Sequence, residues 1–245
     1  MMIKLFRNIR KKLVSENRSI IRNTNYFKYA LGEIVLLVIG ILIALQVNNW
    51  KDDIKYIELE RNTLENIKSD LDLQQEIITE QLKFEKNKIA EIDTASGFLT
   101  SSLSLEKLNS LLENLSGRRT FVANKTSYIE MDKNGDKKLI RNSKLQNAIV
   151  RYYQQLDYIT QVINNNNLFI VDSQFGSFVS NNSLNIRLTD TGQFDENQKI
   201  APEKRLQLKN QLQLRKTVSE NVHRLCSEQQ EATEHLIQLI DNELY

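Results

Sequence analysis

Residues that form tight turns are scarce in this sequence. The 245 residues include one proline and seven glycines. A β-sandwich or β-barrel needs many tight turns, and most such turns contain glycine or proline. An all-β fold is therefore excluded, and the abundance of leucine, lysine, glutamate, asparagine and glutamine favours long helices. We predict an all-α protein.

Residues that commonly bind metals or carry catalysis are also few. Cys226 is the only cysteine, so we expect no internal disulfide and no lipid attached to a cysteine near the N-terminus. His223 and Cys226 share a helix face, but His235 is rotated about 120° away from His223, and a metal site needs more ligands. We predict no catalytic, cofactor-binding or metal-binding residue, and we expect no enzymatic activity.

A long apolar run lies near the N-terminus. Residues 34–45 contain no polar side chain, and extension to residues 29–47 adds only Glu33 and Gln46. As a helix this stretch spans about 28 Å, close to the roughly 30 Å of a bilayer's hydrocarbon core. We predict a single transmembrane helix at 29–47 rather than a buried helix of a soluble protein. Aromatic side chains at both ends are typical of membrane interfaces; they are Tyr26, Tyr29 and Trp50.

Basic charge is concentrated before the apolar run. Residues 1–28 carry eight basic side chains and one acidic one, Glu16, whereas residues 51–245 have a net charge of −4. A basic tail resists translocation, so we expect a cytoplasmic N-terminus and a periplasmic region at 48–245, anchored in a bacterial inner membrane. A cleaved signal peptide is not expected, because the basic region is too long and no cleavage motif follows. The acidic outer region argues against nucleic-acid binding.

The basic tail has a helical pattern of its own. Met2, Phe6, Ile9 and Leu13 recur at helical spacing among basic residues. Such a pattern is typical of an amphipathic helix that lies on anionic lipid headgroups. The alternative is a disordered tail that acts only through its charge.

The outer region repeats the helical period with few interruptions. No glycine or proline lies between Gly40 and Gly97, so the membrane helix should continue into the first outer helix. Gln74 and Gln81 interrupt the apolar seam of that helix, which leaves open both a self-pairing coiled coil and packing within the chain.

Five outer helices follow from the pattern, and we expect them to pack as an antiparallel bundle with the short helices at one end. The Asn164–Asn167 run is a weak point, because asparagine has a low helix propensity. The predicted helices are about 51–93, 104–115, 126–133, 143–179 and 203–244.

Three positions in the predicted span suggest more than anchoring. Glu33 is ionisable, and such residues in membrane helices commonly hold an ion or a proton, or bond to a partner helix. The alternative is that its side chain reaches the nearby cytoplasmic interface. Gly40 and Ala44 lie four residues apart, a spacing of small residues that lets helices approach closely, although glycine is common in membrane helices.

Two blocks of the sequence resemble a known family. The first is GEIVLLVIGILIALQVNNW at Gly32–Trp50, and the second combines Thr126–Tyr128, the Asn134–Gly135 turn and KLIRNSKLQNAIVRYY at Lys138–Tyr153. They resemble an uncharacterised single-pass membrane family that is widespread in Bacteroidota. The chain departs from the family pattern at Met131–Lys133, where leucine and serine are more usual. The resemblance implies a bacterial inner-membrane location and no known activity.

The favoured interpretation is a membrane-anchored scaffold or interaction protein of the bacterial envelope. Its expected partners are the lipid bilayer and either further copies of itself or another envelope membrane protein, without nucleic acid, small-molecule ligand or cofactor. Two alternatives stay open. One is a periplasmic helical bundle that senses a ligand, and the other is an accessory subunit that uses an ion gradient through Glu33.

Overall fold

The computed structural model describes residues 24–99, 105–133, 139–181 and 200–245, with side chains from Lys28 onward except that of Leu105. Within these ranges the chain is almost entirely helical and contains no β-strand, which confirms the predicted all-α fold. The chain divides into two compact units, Met1–Glu58 and Leu59–Tyr245. The predicted amphipathic tail, with Met2, Phe6, Ile9 and Leu13, lies outside the described residues.

The described residues form six α-helices and one π-helical segment. The predicted membrane run and first outer helix are parts of one helix, α1, in line with the lack of glycine and proline between Gly40 and Gly97. The predicted helix at 143–179 instead changes from α to π geometry at Asn167. The elements are α1 (Thr24–Phe98), α2 (Leu105–Leu115), α3 (Thr126–Lys133), α4 (Ser143–Asn166), the π segment (Asn167–Gly176), α5 (Ser177–Asn181) and α6 (Pro202–Leu244).

The described part of the first unit consists of α1 alone. Every side chain from Leu31 to Glu58 is exposed, including the whole apolar run. This is the one described helix that is long and apolar enough to cross a membrane.

Three long helices build the second unit. Helix α6 is antiparallel to α1, since Lys68 contacts Asp241 and Asp93 contacts Lys216. Helix α6 is likewise antiparallel to α4, because Tyr152 bonds to Thr233 and Asn142 bonds to Glu243. Helices α1 and α4 are therefore parallel to each other.

A return segment, residues 116–125, and α3 bring the chain back along the bundle between α1 and α4. The short helices consequently lie at opposite ends of the unit: α2 packs near Ile92, and α3 lies near Asp70. The prediction that both short helices lie at one end is wrong. Because α1 and α4 are parallel, their connection has to cross the length of the unit, as in bundles with long crossovers.

The buried positions of α1 follow a strict three-four spacing, and most of those of α6 follow it too, apart from Val218 and Leu225. This spacing is the rule for helices that pack side by side in left-handed bundles. In α1 they are Glu60, Leu64, Ile67, Leu71, Gln74, Ile78, Gln81, Glu85, Lys88, Ile92, Ala95 and Leu99. In α6 they include Leu208, Leu212, Arg215, Ser219, Val222, Cys226, Gln229, Thr233, Leu236 and Ile240.

Side-chain packing explains the change to π geometry at Asn167. From Ile163 onward the buried positions are four residues apart, at Asn167, Val171 and Phe175. In an α-helix this spacing would drift about 40° around the axis at each step. The wider turn of a π-helix, with its i→i+5 bonding, returns these side chains to the core. Ser173 Oγ donates to Leu168 O, five residues earlier, at 2.7 Å.

Candidate functional site

A layer of polar residues divides the core of the second unit. On α1 the buried seam is apolar from Leu64 to Ile78 except at Gln74, and apolar again from Ile92. Between these stretches lie Gln81, Glu85 and Lys88, opposite Arg215 and Ser219 of α6. The apolar core is accordingly split into two clusters, one on each side of this polar layer.

The centre of the polar layer is a buried ion pair. Glu85 Oε2 lies 4.0 Å from Arg215 Nη1, and both side chains are almost completely buried. Gln81 Nε2 donates to Glu85 Oε1 at 2.9 Å, and Arg215 Nη1 donates to Ser219 Oγ at 2.6 Å. Among the described residues, Glu85 Oε2 accepts no hydrogen bond. The carboxylate is thus only partly compensated for its loss of water.

Arg215 and Lys88 also bind the C-terminal end of α2. Arg215 Nε donates to Leu115 O at 3.2 Å, and Lys88 Nζ donates to Asn114 O at 2.8 Å. Carbonyl groups at a helix C-terminus lack helical partners and carry partial negative charge, so a lysine or arginine stabilises them. Arg215 therefore links α6 to α1 and α2.

Burial shifts both members of the ion pair toward their neutral forms. Burial raises the pKa of Glu85, and the nearby Ser219 hydroxyl and Arg215 charge offset this only in part. Burial also lowers the pKa of Arg215, against the attraction of Glu85 and Glu91. The cost of burying the two groups is offset in part because each faces the other and the polar groups around them.

The raised pKa of Glu85 makes a prediction about pH. The folded chain holds a proton that the unfolded chain releases above its ordinary pKa of 4.5. The free energy of unfolding should therefore fall as pH rises from that value through the raised pKa of Glu85, and then level off. Glu85→Gln removes this titration, so wild type should lose stability relative to the variant in that window. Urea unfolding of the full chain in mild detergent, followed by circular dichroism at a series of pH values, measures the difference in unfolding free energy between wild type and variant. A difference that does not change with pH would contradict the prediction.

Side-chain amides hold the return segment to the long helices. Asn164 accepts from Phe121 N at 3.2 Å and donates to Phe121 O at 3.0 Å, so it pairs with both main-chain groups of one residue. Asn167 Nδ2 donates to Arg119 O at 2.8 Å, and Gln74 Oε1 accepts from Asn124 N at 2.6 Å. These side chains supply the bonds that a non-helical main chain lacks.

Helix α3 brings two parts of the second sequence block together: Thr126–Tyr128 and the tyrosine pair at the end of Lys138–Tyr153. Asp70 Oδ2 accepts from Ser127 N at 2.7 Å, in the first turn of α3. The ring of Tyr128 stacks on that of Tyr153, with centroids 4.2 Å apart, and Tyr152 meets Tyr153 edge to face. The block Thr126–Tyr128 and the tyrosine pair therefore form one aromatic contact in the core.

The structure places the residues predicted in the membrane run along one exposed helix. Glu33, Gly40 and Ala44 are seven and four residues apart, so they share a face of α1. A Cβ at Gly40 would meet nothing within 4 Å. Tyr29 and Trp50 are exposed. Tyr26 belongs to α1, and its side chain lies outside the described part.

His223 and Cys226 lie on α6 as predicted from their spacing. Cys226 is fully buried, and burial together with the charge of Glu85 raises the pKa of its thiol to about 12. The thiol is therefore protonated and unreactive. His235 is exposed, and the described residues contain no group of three metal-ligating side chains.

The apolar pattern of the sequence does not predict the polar layer. It shows Gln74 and Gln81 as interruptions of the α1 seam, although both side chains are buried. The feature of the sequence that indicates the polar layer is the three-four spacing, because Glu85 of α1 and Arg215 of α6 both fall on positions of that series. An apolar count overlooks such positions because it gives no weight to charged residues.

Comparison with known proteins points to one family. No curated protein and no solved structure matches the chain. The model of a family of unknown function, DUF6090, matches residues 33–201. This range includes most of the apolar run, the return segment and the tyrosine pair of α4. The chain belongs to the DUF6090 family, which has no known function.

Proposed function

We propose that this protein is a membrane-anchored helical scaffold or interaction protein of the bacterial envelope, without enzymatic activity. The observation that carries the proposal is the exposure of every side chain from Leu31 to Val47. A core helix of a soluble protein buries its apolar face, whereas this run is covered by nothing else in the described chain. A lipid bilayer is the environment that such a helix fits.

The charge distribution supports the orientation. The basic side chains of residues 1–28 keep the N-terminus in the cytoplasm and leave the second unit in the periplasm. The resemblance to an inner-membrane family agrees with this placement.

The contacts of the second unit support a scaffold. Its charged core groups, such as Glu85 and Arg215, are directed at the chain itself and fix helices to one another. Its buried seam runs along α1 from Glu60 to Leu99. In the proposed orientation, these helices present long faces to the periplasm.

Membrane fractionation of cells that express the full chain tests the proposal. We expect the chain in the membrane pellet and resistant to alkaline carbonate. The double variant Ile39→Arg, Leu42→Arg should leave the membrane fraction, because each arginine near the centre of a span costs about 2.5–3.5 kcal/mol.

A matched variant controls for the added charge. Leu73→Arg, Leu206→Arg carries the same two substitutions at exposed positions of the second unit and should stay in the membrane pellet. Protease added to intact spheroplasts should digest the second unit. Wild-type chain in the soluble fraction, or a second unit protected until lysis, would contradict the proposal.

A further inference from the structure

Three buried side chains of the polar layer carry polar atoms that bond to nothing in the described chain. Gln81, Glu85 and Gln229 expose only 1%, 3% and 1% of their surface. Within the described ranges, Gln81 Oε1, Glu85 Oε2 and both polar atoms of the Gln229 amide make no hydrogen bond. Buried polar side-chain atoms in folded proteins have a partner in the large majority of cases, so four such atoms in one layer need an explanation.

The register of the two antiparallel helices brings these side chains to one level. Gln75 Nε2 of α1 donates to Glu234 Oε1 of α6 at 3.2 Å. Six residues on from Gln75 and six residues back from Glu234, Gln81 stands opposite the neighbour of Gln229. Both glutamines lie on the buried seams of their helices, and Gln81 Nε2 donates to Glu85 Oε1 at 2.9 Å. The four atoms therefore belong to one group.

Turning the side-chain amides does not supply the missing bonds. The oxygen and the nitrogen of Gln229 are both without a partner, so exchanging the two ends leaves the amide as it was. Exchanging the ends of Gln81 would set its oxygen against Glu85 Oε1, which is also an acceptor, and would break the bond between them.

Direct contacts within the group cannot satisfy it either, because acceptors outnumber donors. With Glu85 ionised, three of the four atoms only accept, and Gln229 Nε2 is the sole donor. That nitrogen cannot bond to the oxygen of its own amide. At least one oxygen, Gln229 Oε1, therefore needs a donor from elsewhere.

Neighbouring hydroxyl groups already use their protons. Thr233 Oγ1 donates to the main-chain oxygen of Gln229 at 2.7 Å, so Tyr152 has to be the donor in the 2.9 Å bond between the two hydroxyls. Ser219 Oγ accepts from Arg215 and lies near Glu85, so its proton serves that carboxylate. None of these three hydroxyls is left to donate to Gln229 Oε1.

Water has the properties that the group requires. A water molecule donates two hydrogen bonds and accepts two, and a buried one makes about three bonds to groups that lack other partners. About one buried water per 27 residues is usual, so a unit the size of Leu59–Tyr245 ordinarily holds several. A metal ion fits less well, because Arg215 places a positive charge beside Glu85 and the described ranges hold no set of three metal-ligating side chains.

We propose that the polar layer binds at least one internal water molecule, which bridges Gln229 of α6 to Gln81 and Glu85 of α1. The water donates to Gln229 Oε1 and to one of the two α1 oxygens, and it accepts from the α1 side or from a second water. The glutamines of the seam then act as water ligands that join the two helices where the apolar core is interrupted.

A crystal structure of the full chain in detergent, at a resolution that shows ordered water, tests the proposal. We expect water within about 2.7–3.2 Å of the Gln229 amide and of Gln81 Oε1 or Glu85 Oε2. A dry layer, in which Gln229 bonds directly to Gln81 or Glu85 or to nothing, overturns the proposal. A metal ion at that place, recognised by anomalous scattering or by its coordination geometry, overturns it as well.

Leucine variants test the bridge in solution. Gln81→Leu leaves Gln229 without its bridged partner, and Gln229→Leu does the same to Gln81, whereas the double variant removes both ends of the bridge. The Tm of the double variant should therefore exceed the value that the two separate shifts predict. Additive shifts would count against a shared water. Gln238 is exposed on the same helix, so Gln238→Leu combined with Gln81→Leu is the control and should be additive.

Discussion

We expect the Arg215→Met variant to lose about 3–5 kcal/mol of unfolding free energy, the usual effect of removing one partner of a buried ion pair. Methionine fills much of the arginine's volume but donates no hydrogen bond. Glu85 would then keep a buried charge without its cation, and Leu115 O would lose its bond from Arg215 Nε. Urea unfolding of the full chain in mild detergent, followed by circular dichroism, measures the change.

Two further variants show whether the loss comes from the broken pair. Glu85→Met combined with Arg215→Met makes the core continuous and should recover most of the lost stability, because replacing a buried pair by apolar side chains is often neutral or stabilising. Arg224→Met removes an exposed arginine of the same helix, which pairs with Glu228, and should cost about 0.5 kcal/mol or less. An Arg215→Met variant as stable as Arg224→Met would contradict the account of the polar layer.

The second large effect is expected at Asn164. Asn164→Ala removes both hydrogen bonds that hold the main chain of Phe121 against α4. A buried main-chain group without a partner costs about 1–3 kcal/mol, so we expect a loss of about 2–4 kcal/mol. The same unfolding measurement applies, and hydrogen exchange of the return segment should become faster.

Asn165→Ala is the matched control. Asn165 is the next residue of α4 and is exposed, so its replacement should leave the return segment in place. Because alanine has a higher helix propensity than asparagine, this variant should gain a few tenths of a kcal/mol. Equal effects at the two positions would mean that the pairing with Phe121 contributes nothing.

Helix positions were largely predictable because they depend on local information. The helix predicted at 126–133 coincides with α3, and the one predicted at 203–244 begins one residue later than α6. Apolar periodicity and the scarcity of glycine and proline depend only on residues that are close together in the chain. Both can therefore be read directly from the sequence.

Interactions between distant segments were not predictable in the same way. The run Asn164–Asn167 was identified as a weak point of a helix, and it is where two asparagines bind the return segment and the π turn begins. Low helix propensity describes what asparagine costs locally. It does not reveal that the main chain of Phe121 stands opposite.

An all-α chain, with one long apolar run and a helix that continues beyond it without a break, follows from the sequence alone. The parallel direction of α1 and α4, the connection that crosses the unit between them and the contact of Glu85 with Arg215 in the core become visible only in the folded protein. The two kinds of information differ in how far apart the interacting residues lie in the chain. Periodicity and turn propensity are local, whereas helix direction and the compensation of a buried charge depend on side chains that only folding brings together.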